Sequence, residues 1–284
     1  MPEPIDRTRQ ASLVWYFLIT FAVTWSLYFL VGTTTAGAAL PKNVRELLFL
    51  PGTVAPAAVA LIMTWRAEGD AGVRALLGRI LRWRVGIRWY VIALGYMIAV
   101  KLAAAALIFA MTGVAPAFGE TPVILMFAAL TISTWVQAGE EIGWRGFALP
   151  RMAARLGLGP ASMLLGLIWA LWHLPLFLLP GLETSGQSFP AWTMAVIAIS
   201  VALAWIYWRT GGSLLLVMLM HAAINNTKDI VPSGAVASAH PFTLNTSLMS
   251  VLTAGLMWAC AAYFLIQMRG ARSVDAVRTN ESRE

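Results

Sequence analysis

Long apolar stretches recur along the whole chain, separated by short polar segments. The eight stretches lie at about residues 12–32, 47–65, 89–112, 122–142, 161–180, 190–208, 212–229 and 247–268. Each is close to the roughly 20 residues that a helix needs to cross a bilayer. A helix bonds its backbone polar groups within the segment, as the lipid interior requires. The pattern therefore predicts an all-α fold, a polytopic membrane helical bundle of about eight transmembrane helices.

The composition agrees with a membrane protein, because 59% of the residues are hydrophobic and 12% are charged. Soluble domains have roughly 45–50% apolar and about 25% charged residues. The net charge of +7 raises the question of nucleic-acid binding, and the positions of the basic residues answer it. With the N-terminus inside, the predicted outer loops hold only Lys42, Arg45 and Lys228.

The basic residues of the predicted inner segments are all arginines. They are Arg7, Arg9, Arg66, Arg74, Arg79, Arg82, Arg84, Arg88, Arg145, Arg151, Arg155, Arg209, Arg269, Arg272, Arg278 and Arg283. This positive-inside bias predicts cytoplasmic N- and C-termini. The excess charge thus reflects topology, with the lipid bilayer as partner and no nucleic acid. We expect an integral, multi-pass protein of a bacterial cytoplasmic membrane.

The domain organisation is predicted to be simple, with residues 1–284 forming a single integral membrane domain. The segment 66–88 alternates arginines with apolar residues, which is typical of an amphipathic connection lying on the inner leaflet. The polar tail 269–284 is expected to be disordered.

Two adjacent carboxylates, Glu140 and Glu141, end the fourth apolar stretch. An ionised side chain at membrane depth is unfavourable by about 2.5–3.5 kcal/mol on insertion scales, so such residues indicate a functional site. Arg145 lies four residues after Glu141, one helical turn along the same face, and is the expected partner.

Two of the three histidines, His173 and His221, lie within apolar stretches downstream. Pro175 should open the fifth helix beside His173, because its ring clashes with the carbonyl four residues earlier. Asn225 lies one turn after His221 on the same helical face.

The depths of these groups can be estimated from helix geometry. At 1.5 Å per residue, His173 and His221 lie roughly 18 Å and 13 Å from the inner ends of their spans. Glu140 lies within about 10 Å of the inner surface if its helix ends at Pro150. These estimates predict a common cavity that opens to the cytoplasm.

The side-chain chemistry suits hydrolysis. A carboxylate and a neutral imidazole can together take a proton from water, and a second histidine with an amide can stabilise an oxyanion. This set is sufficient for peptide hydrolysis without a covalent intermediate. The single cysteine, Cys260, excludes a disulfide within the chain and a cysteine-based metal site.

Three motifs occur in the order Glu140-Glu141-x-x-x-Arg145, Trp169-x-x-x-His173 and His221-x-x-x-Asn225. They resemble the motifs of the CPBP family, which comprises type II CAAX prenyl endopeptidases and bacteriocin-processing and self-immunity membrane proteins. The resemblance covers about residues 120–230, the core of that family. In the second motif, Trp169 stands where the family often has Phe.

The resemblance implies an intramembrane endopeptidase that hydrolyses a membrane-associated peptide or protein near the cytoplasmic face. Its catalytic residues would be Glu140, His173, His221 and Asn225, with Glu141 and Arg145 in support. Glu140 and His173 would activate water, while His221 and Asn225 would stabilise the oxyanion. Glu141 and Arg145 would form an orienting ion pair, and Glu141 could share the role of base.

Two mechanisms stay open. One is metal-free, glutamate-type chemistry with no cofactor, which we favour. The other is a metalloprotease, in which Glu140, His173 and His221 hold one divalent metal such as zinc. Two other functions are also open: a transporter or proton-coupled channel, because membrane carboxylates and histidines build proton relays, or a non-enzymatic immunity or scaffold protein of the same family.

Overall fold

The structure is a computed structural model that describes residues 7–33, 41–114, 118–179, 184, 187–231 and 240–271. Across these residues the chain is helical and contains no strand. The helices are α1 (Arg7–Thr33), α2 (Lys42–Leu77), α3 (Ile87–Thr112), α4 (Val123–Val136), α5 (Ala138–Glu141), α6 (Leu149–Leu156), α7 (Leu158–Trp172), α8 (Leu174–Leu178), α9 (Phe189–Arg209), α10 (Leu214–Asn226) and α11 (Leu248–Gln267). A π-helical turn, Ile142–Ala148, joins α5 to α6, and a 3₁₀ turn, Thr227–Asp229, follows α10.

Six helical stretches are long and apolar enough to cross a membrane. They are Ser12–Thr33, Leu47–Leu77, Ile87–Thr112, Val123–Leu156, Phe189–Arg209 and Leu248–Gln267. Two shorter apolar helices, α7 and α10, complete the set. The prediction of an all-α, polytopic membrane bundle is confirmed. Of the tail predicted to be disordered, 272–284 lies outside the described residues.

Helix α2 contains Pro51 and Pro56 without breaking. A proline removes the hydrogen bond to the carbonyl four residues before it, which for Pro56 is the carbonyl of Gly52. Thr24 of α1 supplies the missing donor, with its hydroxyl 2.9 Å from that oxygen. A neighbouring helix thus satisfies the freed carbonyl, as lipid-embedded backbone requires.

The predicted connection 66–88 is partly helical. Helix α2 bends at Gly69, whose φ of 63° lies in the left-handed region, and then continues to Leu77. The turn that follows is tied to α9 and α10. Arg79 donates to the Tyr207 hydroxyl over 2.6 Å, and Ser213 donates to the Arg82 carbonyl over 2.7 Å.

These contacts define one end of the bundle, which we call the arginine-rich end. It comprises 79–88, the C-terminal end of α9 and the N-terminal end of α10. The opposite end, which we call the far end, comprises the C-terminal ends of α1 and α10 and the N-terminal end of α9. The two ends serve below to locate the site.

Small residues allow close packing between helices. Ser200 of α9 donates to the Ser162 carbonyl of α7 over 2.8 Å. A Cβ added at Gly166 would lie 2.8 Å from the Cα of Ile197. Helices α7 and α9 therefore approach each other almost backbone to backbone, which is typical of membrane helix interfaces.

Candidate active site

The two glutamates lie in the middle of the fourth span rather than at its end. The helical stretch begins at Val123, passes through the glutamates and continues to Leu156. Pro150 does not stop it: proline offers no N–H to the Gly146 carbonyl four residues earlier, and that oxygen accepts instead from Nη1 of Arg79 over 3.2 Å. Glu140 therefore lies more than ~20 Å along the helix from its end at Leu156, further than an end at Pro150 would place it.

Two glycines bring this segment against α2. A Cβ at Gly143 would lie 2.4 Å from the hydroxyl of Tyr16 and 2.6 Å from the carbonyl of Pro56. A Cβ at Gly139 would lie 3.1 Å from the carbonyl of Thr53. Gly143 also lies in the π-helical turn, an irregularity that often occurs at functional sites. Close backbone contact thus fixes the position of the intervening carboxylates.

Glu141 is the centre of a buried charge network. Its Oε1 lies 3.0 Å from Nη1 of Arg145 and 2.7 Å from Nδ1 of His221. Glu141 and Arg145 are 0% exposed and His221 is 3% exposed. Because a carboxylate oxygen only accepts, Nδ1 of His221 carries the proton in this bond. The predicted ion pair between Glu141 and Arg145 is present, and it also orients His221.

Glu140 faces a different partner. Nε1 of Trp169 donates to its Oε2 over 2.6 Å, and the residue is 5% exposed. The guanidinium of Arg145 lies over the Trp169 ring, 4.5 Å from its centre. Trp169 therefore links Glu140 to the charge network around Glu141.

His173 lies at the break between α7 and α8, where the sequence predicted that Pro175 would open the helix. Its Nδ1 is 2.9 Å from the Trp169 carbonyl. A carbonyl only accepts, so Nδ1 carries the proton, and the neutral ring keeps an available lone pair on Nε2. His173 is thus held as a base through Nε2.

Aromatic rings surround the two imidazoles. The Trp169 ring centre lies 5.1 Å from that of His221 and 5.6 Å from that of His173. The rings of Trp172 and Trp192 lie 4.6 Å and 5.0 Å from His173. The structure thus brings Glu140, His173 and His221 together around one indole.

Several buried polar atoms beside this cluster have no hydrogen-bond partner among the described residues. They include Oε2 of Glu141, Nε and Nη2 of Arg145, Nε1 of Trp172 and the hydroxyl of Tyr16. Buried polar groups are normally paired, and concentrated exceptions call for a functional explanation. The unpaired donors and the unpaired carboxylate oxygen are available to bind water molecules.

Two comparisons with known proteins cover this region of the chain. Residues 121–227, which contain every residue of the cluster, match the family profile of the Rce1-like type II CAAX prenyl endopeptidases. The chain is also similar to a protein of Methanococcus maripaludis named CAAX prenyl protease 2. The two are 24% identical over 234 residues, which is 76% of this chain and 83% of the relative.

Both comparisons support the resemblance of this chain to the CPBP family. The names of the profile and of the relative are those of proteases, and the six long apolar helices of this chain indicate an integral membrane protein. The family match covers the region 120–230 that the three motifs indicated, and the other spans support this core.

Among the described residues, Asn225 is the one predicted site residue that lies apart from the network. It is exposed, one turn beyond the buried His221. No hydrogen bond links it to the other site side chains in the described part of the chain. Its neighbour Asn226 bonds back to the Ala222 carbonyl over 2.8 Å. Asn225 therefore lies at the edge of the cluster.

The three expected metal ligands do not form a metal site as they are arranged. Within the described residues, no group of three His, Cys, Asp or Glu side chains is placed to hold a metal ion. Oε2 of Glu140 accepts from Trp169 and Nδ1 of each histidine donates to an oxygen, which leaves Nε2 of each ring and the other Glu140 oxygen for a ligand. Because these groups are not placed around one metal position, we derive no step through a metal.

The cluster is closed towards the arginine-rich end. Trp144, Phe147 and Leu214, which lie on that side, are 0 to 1% exposed. Along α10, burial ends one turn after His221, where Asn225 is exposed. Exposure along this helix therefore begins on the far-end side of the cluster.

The position of His173 agrees with this direction. It contacts Trp192, only three residues from the far-end start of α9 at Phe189 and about 25 Å from Arg209. The sequence predicted an opening towards the arginine-rich end, where the packing around the three buried residues of that side is closed. That prediction counted residues to the expected span ends, and the fourth helix extends beyond its expected end.

Sequence reasoning did not assign a role to the indole of Trp169. The signal was present, because Trp169 precedes His173 by one helical turn on the same face. An indole N–H buried in a membrane helix also needs an acceptor, and Glu140 was an available carboxylate. Trp192, in contrast, carries no such signal, because it comes from a separate helix.

Proposed function

We propose that this protein hydrolyses a peptide bond of a membrane-associated substrate with water activated jointly by Glu140 and His173. One observation carries the proposal: Trp169 binds both groups. Its indole N–H holds the Glu140 carboxylate, and its carbonyl holds Nδ1 of His173. A water molecule of the reaction, bound between the carboxylate and Nε2 of His173, would lose its proton to this pair as it attacks the peptide carbonyl.

Oxyanion stabilisation falls to His221 and Asn225 in this proposal. Glu141 holds the ring of His221 through Nδ1, and this fixes the direction in which Nε2 points. Protonated at Nε2, His221 would donate to the developing oxyanion, and the Asn225 amide would be the second donor. Arg145 neutralises Glu141 and positions it, but does not itself touch substrate.

A comparison of membrane peptides from two cell cultures tests this function. One culture carries the wild type and the other carries Glu140→Gln at equal abundance. We expect at least one membrane-protein fragment to disappear in the variant, with its uncut precursor accumulating. Identical peptide sets would contradict the proposal. A prenylated C-terminal peptide, the substrate type in the name of the Methanococcus relative, is the first synthetic candidate, with the unprenylated peptide beside it.

We further infer that the substrate enters from the far end, on the non-cytoplasmic side of the membrane. The inference combines the closure of the cluster towards the arginine-rich end with the positive-inside rule, which assigns that end to the cytoplasm. The scissile bond would then approach the cluster past Asn225 and Trp192.

Cysteine labelling tests the direction. In a Cys260→Ser background, we expect Lys228→Cys, after α10, to react with a membrane-impermeant maleimide added outside intact cells. Arg84→Cys, at the arginine-rich end, should react only after the cells are opened. The reverse pattern would place the opening on the cytoplasmic side and leave the chemistry of Glu140 and His173 unaffected.

A further inference from the structure

A cavity of about 460 Å³ lies at the arginine-rich end, away from the catalytic cluster. It is lined by the turn 81–89 and by the end of α9 at Arg209–Gly211. Four of its lining residues are arginines and none is acidic: Arg82, Arg84, Arg88 and Arg209. We call it the arginine cavity. Nothing in the proposed hydrolysis uses it.

Among the described residues, Arg84, Arg88 and Arg209 lie against tryptophan rings rather than beside carboxylates. The guanidinium of Arg88 lies 4.9 Å from the centre of the Trp89 ring, and that of Arg209 lies 5.5 Å from the same ring. Arg82 donates to the Gly211 carbonyl. In the described part of the chain, no carboxylate pairs with Arg84, Arg88 or Arg209.

Arg209 also has an unsatisfied donor. Its Nε is buried and has no hydrogen-bond partner within the described ranges. A buried charged donor without an acceptor is unfavourable, and like charges around one cavity repel each other. An anion in the cavity would remove both effects.

The position and chemistry indicate which anion fits. The cavity lies where α3 begins and α9 ends, beside Trp83 and Trp89, and tryptophans concentrate at the headgroup level of membranes. Guanidinium groups bind phosphate oxygens in a bidentate manner. Basic pockets between helices on the cytoplasmic side suit anionic lipid headgroups.

We propose that the arginine cavity binds the phosphate of an anionic phospholipid headgroup from the adjoining leaflet. The bound lipid would neutralise the cavity and join the turn 81–89 to the end of α9. Free inorganic phosphate shares the recognised chemistry, so the test must separate the two sources.

Native mass spectrometry of the full chain measures retained lipid. The protein is placed in nanodiscs of phosphatidylcholine mixed with phosphatidylglycerol and then transferred to detergent. The wild type should retain phosphatidylglycerol in preference to phosphatidylcholine. The triple variant Arg84→Gln, Arg88→Gln, Arg209→Gln should retain about 100-fold less, at about a factor of five per arginine.

A matched control removes the same charge elsewhere at this end. The triple variant Arg66→Gln, Arg74→Gln, Arg269→Gln changes only arginines outside the cavity. The amount of lipid it retains should be within about threefold of the wild type, because the three charges it loses contribute only a screened attraction at the surface. Equal losses of retained lipid in the two triple variants would overturn the proposal, because general surface charge would then explain the binding.

Two further arms complete the test. The lysine triple variant, Arg84→Lys, Arg88→Lys, Arg209→Lys, keeps the charge but loses the bidentate geometry, so it should retain an intermediate amount of lipid. It also keeps the proposal testable if the glutamine variant does not fold.

Inorganic phosphate, titrated in detergent without lipid, should not raise the unfolding temperature of the wild type. Stabilisation by phosphate together with no preference for phosphatidylglycerol would assign the cavity to a free anion and overturn the lipid proposal.

Discussion

The hydrogen bond from Trp169 to Glu140 offers the sharpest mutational test, through Trp169→Phe. Phenylalanine keeps an aromatic ring next to Arg145 and both histidines but has no N–H. The lost bond is 2.6 Å long and buried, and its acceptor is a carboxylate. A bond to a charged group contributes about 1.5–3 kcal/mol.

The expected size of the effect follows from that range. If the bond holds Glu140 in its reactive position, kcat/KM should fall by about 10- to 150-fold, since about 1.4 kcal/mol corresponds to a factor of ten. The loss should lie in kcat, with KM little changed, because Trp169 positions a catalytic group rather than binding substrate. The assay is cleavage of the substrate identified in the membrane-peptide comparison, by purified protein in nanodiscs.

The neighbouring Trp172 supplies the control. Trp172→Phe makes the same substitution at a buried ring that also contacts His173. Its Nε1 has no hydrogen-bond partner in the described residues, so no bond to a carboxylate is lost. We expect a change in kcat of less than about threefold, below 1 kcal/mol. Equal losses in the two variants would refute the role given to the Trp169 bond, as would full activity of Trp169→Phe.

Two stability predictions test the packing around the site by thermal unfolding of the purified protein. Gly143→Ala should destabilise the protein by about 1–3 kcal/mol, because the new Cβ would lie 2.4 Å from a hydroxyl and 2.6 Å from a backbone carbonyl. The control Gly95→Ala should not destabilise it, because nothing lies within 4 Å of the new Cβ. Equal effects of the two substitutions would contradict the close contact at Gly143. Glu141→Gln should be unfavourable by about 3–5 kcal/mol, since it removes the carboxylate that is paired with the buried Arg145. Glu68→Gln, in a half-exposed ion pair, should change stability by less than about 1 kcal/mol. Equal losses of stability in the two glutamate variants would show that burial of the ion pair between Glu141 and Arg145 does not increase its contribution.

The sequence predicted the fold class and most of the cluster, because both depend on strong signals. Apolar stretches of membrane length leave few alternatives to helices. Charged residues inside such stretches must find partners, which is why the pairing of Glu141 with Arg145 was foreseeable. The same reasoning identified His173 and His221, because both are polar residues within apolar stretches.

The limits of the fourth span were not foreseeable from the apolar pattern. Arg145 and Arg151 interrupt the pattern, so the predicted span ended at 142. The helix continues because both side chains have partners within the protein: Nη1 of Arg145 pairs with Glu141, and Arg151 donates to the Phe147 carbonyl over 3.0 Å. The predicted depth of the site changed with that boundary.

Contacts between helices distant in sequence were also beyond prediction. Helical periodicity places Asn225 on the face of His221, but it does not say where that face meets its neighbours. The structure leaves Asn225 exposed at the rim. Its proposed contact with the oxyanion stays a prediction.

The central claim is that Glu140 makes a water molecule nucleophilic, and the most direct measurement is the single-turnover cleavage rate of purified Glu140→Gln. Glutamine keeps the shape and can still accept from Trp169, so unfolding temperature should stay near that of the wild type. We predict a rate about 10²–10⁴-fold lower than the wild type, the usual contribution of general-base catalysis. A folded variant that cleaves the substrate at the wild-type rate would contradict the claim.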